Sequence, residues 1–276
     1  MSRVTHLSTR RAAESAAAGA HDPARPIALV TGPTAGIGLA FAHELARRGF
    51  DLVLVARSED TLQDLAARLR TEHDVAVEVL AADLGDREQL ARVEARLSDR
   101  SQPVDLLVNN AGFGLKEQFA DNSVEEEQAM LDVLVVAVMR LSHAATTTML
   151  ERGFGGIINV SSVAGYLPRG TYGAAKAYVT RLSLWADGTY RERGVRTMAL
   201  CPGFVRTEFH ERMDVGRDSV PSWMWLDADK LVREALDDFD DGKALSVPDL
   251  RYKAVTAAAR YVPTGLLTRF QTMGRR

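Results

Sequence analysis

Ile27-Ala28-Leu29-Val30-Thr31-Gly32-Pro33-Thr34-Ala35-Gly36-Ile37-Gly38 is an apolar run that ends in a spaced set of glycines. It opens an amphipathic stretch that reaches Arg48 and is stopped by Gly49. A strand that turns into a helix through residues without Cβ atoms lets backbone N–H groups approach a pyrophosphate. The helix N-terminus adds positive potential at the same place. Gly32, Gly36 and Gly38, with Thr34 and Ile37 between them, are therefore the candidate phosphate cradle. The spacing is G-x-x-x-G-x-G, not G-x-G-x-x-G. Glycines alone are a weak signal; their position directly after the first apolar strand gives them weight.

Strand-like and helix-like runs alternate downstream. Strands are expected at 27–31, 51–56, 75–81, 104–108, 156–160, 195–200 and 244–247, and helices at 62–69, 90–97, 124–150 and 172–191. The segment 51–56 is apolar after its first residue, as a strand buried on both faces should be. Regular βα alternation implies a doubly wound, Rossmann-like parallel sheet with helices on both faces. One domain is expected over 27–250, with a substrate flap at about 208–228. Residues 1–26 lack hydrophobic periodicity and read as a flexible extension; 251–276 read as a basic amphipathic tail.

Several classes are disfavoured. The net charge of -3 argues against nucleic-acid binding. Cys201 is the only cysteine, so there is no intrachain disulfide or cysteine-based metal cluster, and no metal is expected. Arg10-Arg11 precedes a stretch with an acid, Glu14, and no Leu-rich core, unlike an export signal. No apolar run approaches the roughly 20 residues of a membrane span, and a cytoplasmic protein is expected. The tail, with Lys253, Arg260, Arg269, Arg275 and Arg276, suits either peripheral contact with anionic membrane or packing on a neighbouring subunit of a homodimer or homotetramer.

The second expected strand ends at Ala56-Arg57-Ser58. In a dinucleotide fold the adenosine ribose lies there. An acid would bond its two hydroxyls, whereas an Arg pairs with a 2′-phosphate, so Arg57 points to NADP(H). Glu59 and Asp60 open the next helix. Tyr172 and Lys176 are four apart and share a helix face. An ammonium beside a phenol stabilises phenolate and is expected to lower its pKa toward the working range.

These segments, with Ala82-Asp83-Leu84, Asn109-Asn110-Ala111-Gly112, Ser161-Ser162 and Pro202-Gly203-x-Val205-x-Thr207, occur in an order that resembles the single-domain short-chain dehydrogenases/reductases. The resemblance spans residues 27 to about 210. It implies that Asp83 and Leu84 contact the adenine, and that Asn110, Ala111 and Gly112 line the cofactor. It further implies that Pro202, Gly203 and Val205 do the same beyond the sixth strand, and that Thr207 reaches the nicotinamide amide or a phosphate. Lys176 would bond the nicotinamide ribose, Ser162 would hold the substrate oxygen, and Tyr172 would give or take its proton. Cys201 reads as a buried strand residue.

Two departures stand out. The family carries an Asn in its long central helix that holds a water linking the lysine to solvent; here the ungapped position is Leu134, and no Asn occurs between Asn122 and Asn159. Ser162 precedes Tyr172 by only ten residues, which shortens one wall of the substrate pocket and leaves Ser161 as a rival to Ser162. Phe113, Leu115, Tyr166, Leu167, Trp223 and Trp225 are candidate walls, so a hydrophobic ketone, aldehyde or secondary alcohol is the expected substrate. A weaker likeness runs to acyl- and steroid-type members. The rival reading is a dinucleotide-binding regulator or scaffold without turnover, which Leu134 keeps open.

Overall fold

The computed structural model describes residues 25–206 and 221–259. Seven strands form: β1 (Ile27–Thr31), β2 (Asp51–Ala56), β3 (Val77–Ala81), β4 (Leu106–Asn109), β5 (Gly155–Val160), β6 (Val195–Leu200) and β7 (Leu245–Ser246). They make one sheet in the order β3-β2-β1-β4-β5-β6-β7, and every pairing is parallel. The expected doubly wound fold is present. Most differences from the expected strands are trimmed or shifted ends, as where 75–81 shortens to β3.

The helices are α1 (Gly36–Arg47), α2 (Glu59–His73), α3 (Arg87–Leu97), α4 (Val124–Arg152), α5 (Gly170–Tyr190), α6 (Ala228–Asp240) and α7 (Leu250–Ala259). Alternation along β1 and β2 sorts them onto two faces. Ala28, Val30, Leu52 and Leu54 pack with Phe41 and Leu45 of α1, Leu62 and Leu65 of α2 and Leu231 and Phe239 of α6. Leu29, Val53 and Val55 point the other way, onto Leu90 and Val93 of α3 and Leu141 and Met149 of α4. By composition α4 is long and apolar enough to cross a membrane. Its Leu134, Ala137, Leu141, Ala145 and Met149 are instead buried in the domain.

Two features were not expected. Asp132–Ala137 in the middle of α4 winds as π-helix, and Leu134 lies inside it. Such inserts cluster at functional sites. The helix α6 buries Leu231, Val232, Ala235, Leu236 and Phe239 on one face, an apolar stripe at helical spacing. The chain reverses direction across the sheet between β1 and β4, which opens a crevice at the carboxyl ends of the strands.

Candidate active site

The glycine turn is tied to the sheet before any ligand arrives. The Thr31 side chain is buried, and its Oγ1 accepts from the backbone N–H groups of Asn110 (2.9 Å) and Ala111 (3.0 Å). Asn110 Nδ2 donates to the carbonyls of Thr31 and Gly32, both at 3.0 Å. The ends of β1 and β4 are thereby held together at the switch point. Gly36 has φ +54°, and a Cβ on Gly38 would lie 2.0 Å from the Gly32 carbonyl oxygen. No side chain caps α1 at Ala35, and its first turn has no acid. By contrast Ser58, Asp86, Ser123 and Asp227 cap α2, α3, α4 and α6. The first N–H groups of α1 therefore have no side-chain cap, a donor set suited to a phosphate anion.

At the ribose end, Arg57 is exposed directly after β2 and has no hydrogen bond or ion pair among the described residues. Its guanidinium is uncommitted. Asp83 Oδ1 accepts from Gly85 N–H at 2.9 Å, and Asp83 N–H donates to Gln89 Oε1 at 2.9 Å. The Leu84 side chain is buried in the core, so its backbone is what remains for a ligand.

The serine pair divides its tasks. Ser161 is buried, donates to the Lys176 carbonyl at 2.7 Å and bonds Thr180 Oγ1 at 2.8 Å, which anchors α5 to β5. Ser162 caps the 3-10 turn Val163–Tyr166, accepting from Ala164 N–H at 3.1 Å, and its side chain hydrogen-bonds Tyr172. Of the two, Ser162 is the one that meets the phenol.

Tyr172 is half-buried. Desolvation pushes its pKa up to about 12, opposed by the Ser162 hydrogen bond and the charge of Arg169. Lys176 is buried, and desolvation pulls its pKa down to about 8. Its Nζ donates to the Val160 carbonyl at 2.8 Å and lies 5.8 Å from the centroid of the Tyr172 ring. The expected lowering of the phenol pKa by Lys176 is thus not found. Lys176 is not among the groups that lower it: burial raises the phenol, and the ammonium is turned toward the end of β5. A phenol held this way stays protonated at neutral pH and can act as an acid.

Leu134 is 1% exposed and packs with Met130 and Ala175, beside Phe113 and the Tyr172 ring. A cavity of about 200 Å³ adjoins Tyr172. Leu115, Met130 and Pro168 give it apolar walls, while Glu127 and Arg169 add charge that the sequence reading did not foresee. Those charges come from the first turns of α4 and the residue before α5. Phe113, Tyr166, Leu167, Trp223 and Trp225 do not line it. Tyr166 packs against the core, with its hydroxyl beside the Cys201 thiol, whose pKa burial raises. Trp223 is 59% exposed, and Trp225 leans on Phe204 at 5.8 Å between ring centroids.

Beyond β6, the Pro202 carbonyl accepts from Val163 N–H at 3.0 Å. Gly203 lies against the Tyr252 ring, whose hydroxyl accepts from Phe204 N–H at 3.0 Å and donates to the Met224 carbonyl at 2.7 Å. Val205 bridges to Leu226. The two shoulders of the segment 207–220 are thus fastened together and to α7. Thr207, most of the expected flap, the N-terminal extension up to residue 24 and the tail beyond 259 lie outside the described residues.

Sequence reasoning passed over three polar groups that hold this site. These are Thr31 and the pair Asn109 and Asn159, joined by a 2.8 Å bond and carried on to Ser142 and Ser183. Polar residues at the buried ends of strands were the available signal.

The short chain dehydrogenase family profile matches residues 26–217. An uncharacterized oxidoreductase of Staphylococcus epidermidis is 32% identical over 193 residues, which cover 69% of this chain and 82% of that protein. A short-chain dehydrogenase from Sphingobium yanoikuyae in complex with NADPH superposes with a TM-score of 0.79 at 36% identity, covering 88% of this chain and 95% of that one. The bulky-bulky ketone specific alcohol dehydrogenase from Comamonas testosteroni superposes with a TM-score of 0.75 at 32% identity, covering 88% and 94%. With the glycine turn, the Ser162–Tyr172–Lys176 group and this likeness along most of its length, the chain belongs to the short-chain dehydrogenase family.

Proposed function

We propose that this chain is an NADP(H)-dependent oxidoreductase that interconverts a hydrophobic ketone or aldehyde and its alcohol, with Tyr172 as the acid and base. The observation that carries the reading is the Tyr172 hydroxyl, hydrogen-bonded to Ser162, one helical turn before Lys176 and next to a partly apolar cavity. The uncapped start of α1 and the uncommitted Arg57 fit a dinucleotide with a 2′-phosphate. The NADPH complex of one structural neighbour and the bulky ketone specificity of another support the cofactor and the substrate class.

At the glycine turn and Arg57 the chain would hold NADPH, which would supply the hydride for the carbonyl carbon. Ser162 donates a hydrogen bond to the carbonyl oxygen and fixes it beside Tyr172. Tyr172 gives that oxygen its proton, and in the reverse direction takes it from the alcohol. Desolvation raises the phenol pKa and so keeps the proton on Tyr172 at neutral pH. Lys176 would hold the nicotinamide ribose.

The test is NADPH oxidation with a panel of bulky ketones and aldehydes. Consumption that rises with substrate size and falls for small anionic carbonyls is the expected result. A second reading, a cofactor-binding regulator, rests on the apolar Leu134 in the π-helical stretch. Tight NADPH binding with no turnover on any substrate would favour it.

A further inference from the structure

His43, Glu72 and His73 meet on the surface between α1 and α2, and each presents one ligand atom within 4.8 Å of the other two. His43 Nδ1 lies 3.7 Å from Glu72 Oε2, and His73 Nε2 lies 3.8 Å from the same oxygen. The two imidazole rings stand edge to face with centroids 6.1 Å apart. His73 Nε2 is buried and has no hydrogen-bond partner. We propose that these three side chains form a site for one divalent transition-metal ion of the zinc class.

The chemistry of the donor set supports this. Two imidazoles and one carboxylate, with water in a fourth position, make a common ligand set for zinc. Tetrahedral bonds of about 2.0–2.1 Å place ligand atoms about 3.4 Å apart. The two spacings to Glu72, 3.7 and 3.8 Å, are close to that, and the trio as a whole lies within 4.8 Å, a gap that side-chain rotation must close. Glu72 is exposed and His43 only partly buried, so both can move.

Most neighbouring cations are already engaged, although Arg68, one turn before Glu72, is exposed and makes no hydrogen bond or ion pair among the described residues. Arg47 and Arg48 bond Glu44 at 2.7 Å, Arg25 pairs with Asp74, and Arg70 donates to the Val77 carbonyl. Among the described residues Glu72 pairs with no Lys or Arg, only with the two imidazoles.

The site is built from the C-terminal half of α1 and the last turn of α2. It lies at the end of both helices away from the glycine turn and Arg57. An ion there clamps two helices whose other ends carry the candidate cofactor contacts, without touching the reacting groups. His43 and His73 are thirty positions apart, which is why no motif announces the site.

Calorimetric titration of the full chain with ZnCl₂, after chelator treatment, tests the proposal. One ion per chain is expected, with a rise in thermal midpoint. Co²⁺ should give the intense visible absorption of tetrahedral coordination. His43→Ala, His73→Ala and Glu72→Gln should each weaken binding about tenfold or more, at least what a lost supporting partner costs. His143→Ala, a surface control, should bind as the wild type does. If His73→Ala does not fold, the half-exposed His43 decides the matter through His43→Ala. Absence of binding to the wild type overturns the proposal. Wild-type affinity in His43→Ala also overturns it, since the ion would then sit on other histidines, such as His6, His21 or His210.

Discussion

Lys176 Nζ donates a 2.8 Å hydrogen bond to the carbonyl oxygen of Val160, the last residue of β5. A lysine in that position is bound to the sheet, not to the phenol one turn before it. It is buried, with a pKa drawn down to about 8 from 10.5 by desolvation. Between those two values the unfolded chain holds a proton that the folded chain has released, so stability rises with pH across the window. The ceiling is on the order of 3 kcal/mol. Tyr172 works in the opposite sense, but only above pH 10, where the unfolded phenol ionises first. In urea titrations, wild type should gain on Lys176→Met as pH climbs from 8 toward 10. Parallel pH profiles for the two proteins would show that the lysine is not desolvated as described.

The proton donor is tested by Tyr172→Phe. The ring stays, packed against the cluster of Met130, Leu134 and Ala175, while the transferable proton goes. NADPH affinity should change little, and turnover on an established ketone should drop by at least the share of general acid catalysis, about 10²–10⁴-fold. Retention of wild-type turnover would remove Tyr172 from the mechanism.

Cofactor choice rests on Arg57. Arg57→Asp should weaken NADPH relative to NADH, because a repelling charge replaces the partner of the 2′-phosphate. The lost charge-assisted contact alone is worth about 1.5–3 kcal/mol. Because Arg57 bonds nothing else among the described residues, the thermal midpoint should hardly move. Equal affinity of the wild type for both cofactors by calorimetry would sink the assignment.

What the sequence made legible follows from what local patterns encode. Apolar runs such as 51–56 and the glycine turn are period and spacing signals, and both became the elements expected. Tyr172 and Lys176 share α5 because four positions close one turn. Burial, by contrast, is a property of the assembled fold. Nothing in the chain order says that the Lys176 ammonium turns to Val160, or that desolvation governs the phenol. The helix α6 carries a readable stripe from Leu231 to Phe239, hidden behind an aromatic stretch that drew attention to pocket walls instead. Glu127 and Arg169 reach the cavity through the meeting of α4 and α5, a long-range contact without a local signature.

Gly38 offers a test of the cradle. A methyl group there would lie 2.0 Å from the Gly32 carbonyl oxygen and 2.3 Å from Asn110 Nδ2. The first neighbour is backbone and cannot swing aside. Gly38→Ala should therefore cost roughly 1–3 kcal/mol of stability. It should also push α1 off the turn, so NADPH affinity should fall further than stability alone explains. Gly49→Ala is a control with open space around it, although its φ of +85° brings a strain of its own. A Gly38→Ala protein with normal cofactor binding would mean that the close approach is not what shapes the site.

Leu134 decides whether the proton supply is intact. Its Cδ2 would lie 2.6 Å from a Cβ on Gly112, and its neighbours Met130 and Ala175 are apolar, so no side-chain atom at this point can hold a water. If proton resupply to Lys176 limits the rate, the solvent isotope effect on turnover should exceed the effect of deuterated NADPH. Leu134→Asn should then raise turnover, provided its amide finds a partner in the looser π-helical stretch. An unsatisfied buried amide costs on the order of 1–3 kcal/mol, so stability must be followed beside rate. A folded Leu134→Asn protein with unchanged rate and unchanged isotope effects would show that another route already serves Lys176. Activity that appears only in the variant would instead identify the wild type as a cofactor-binding protein with its relay closed.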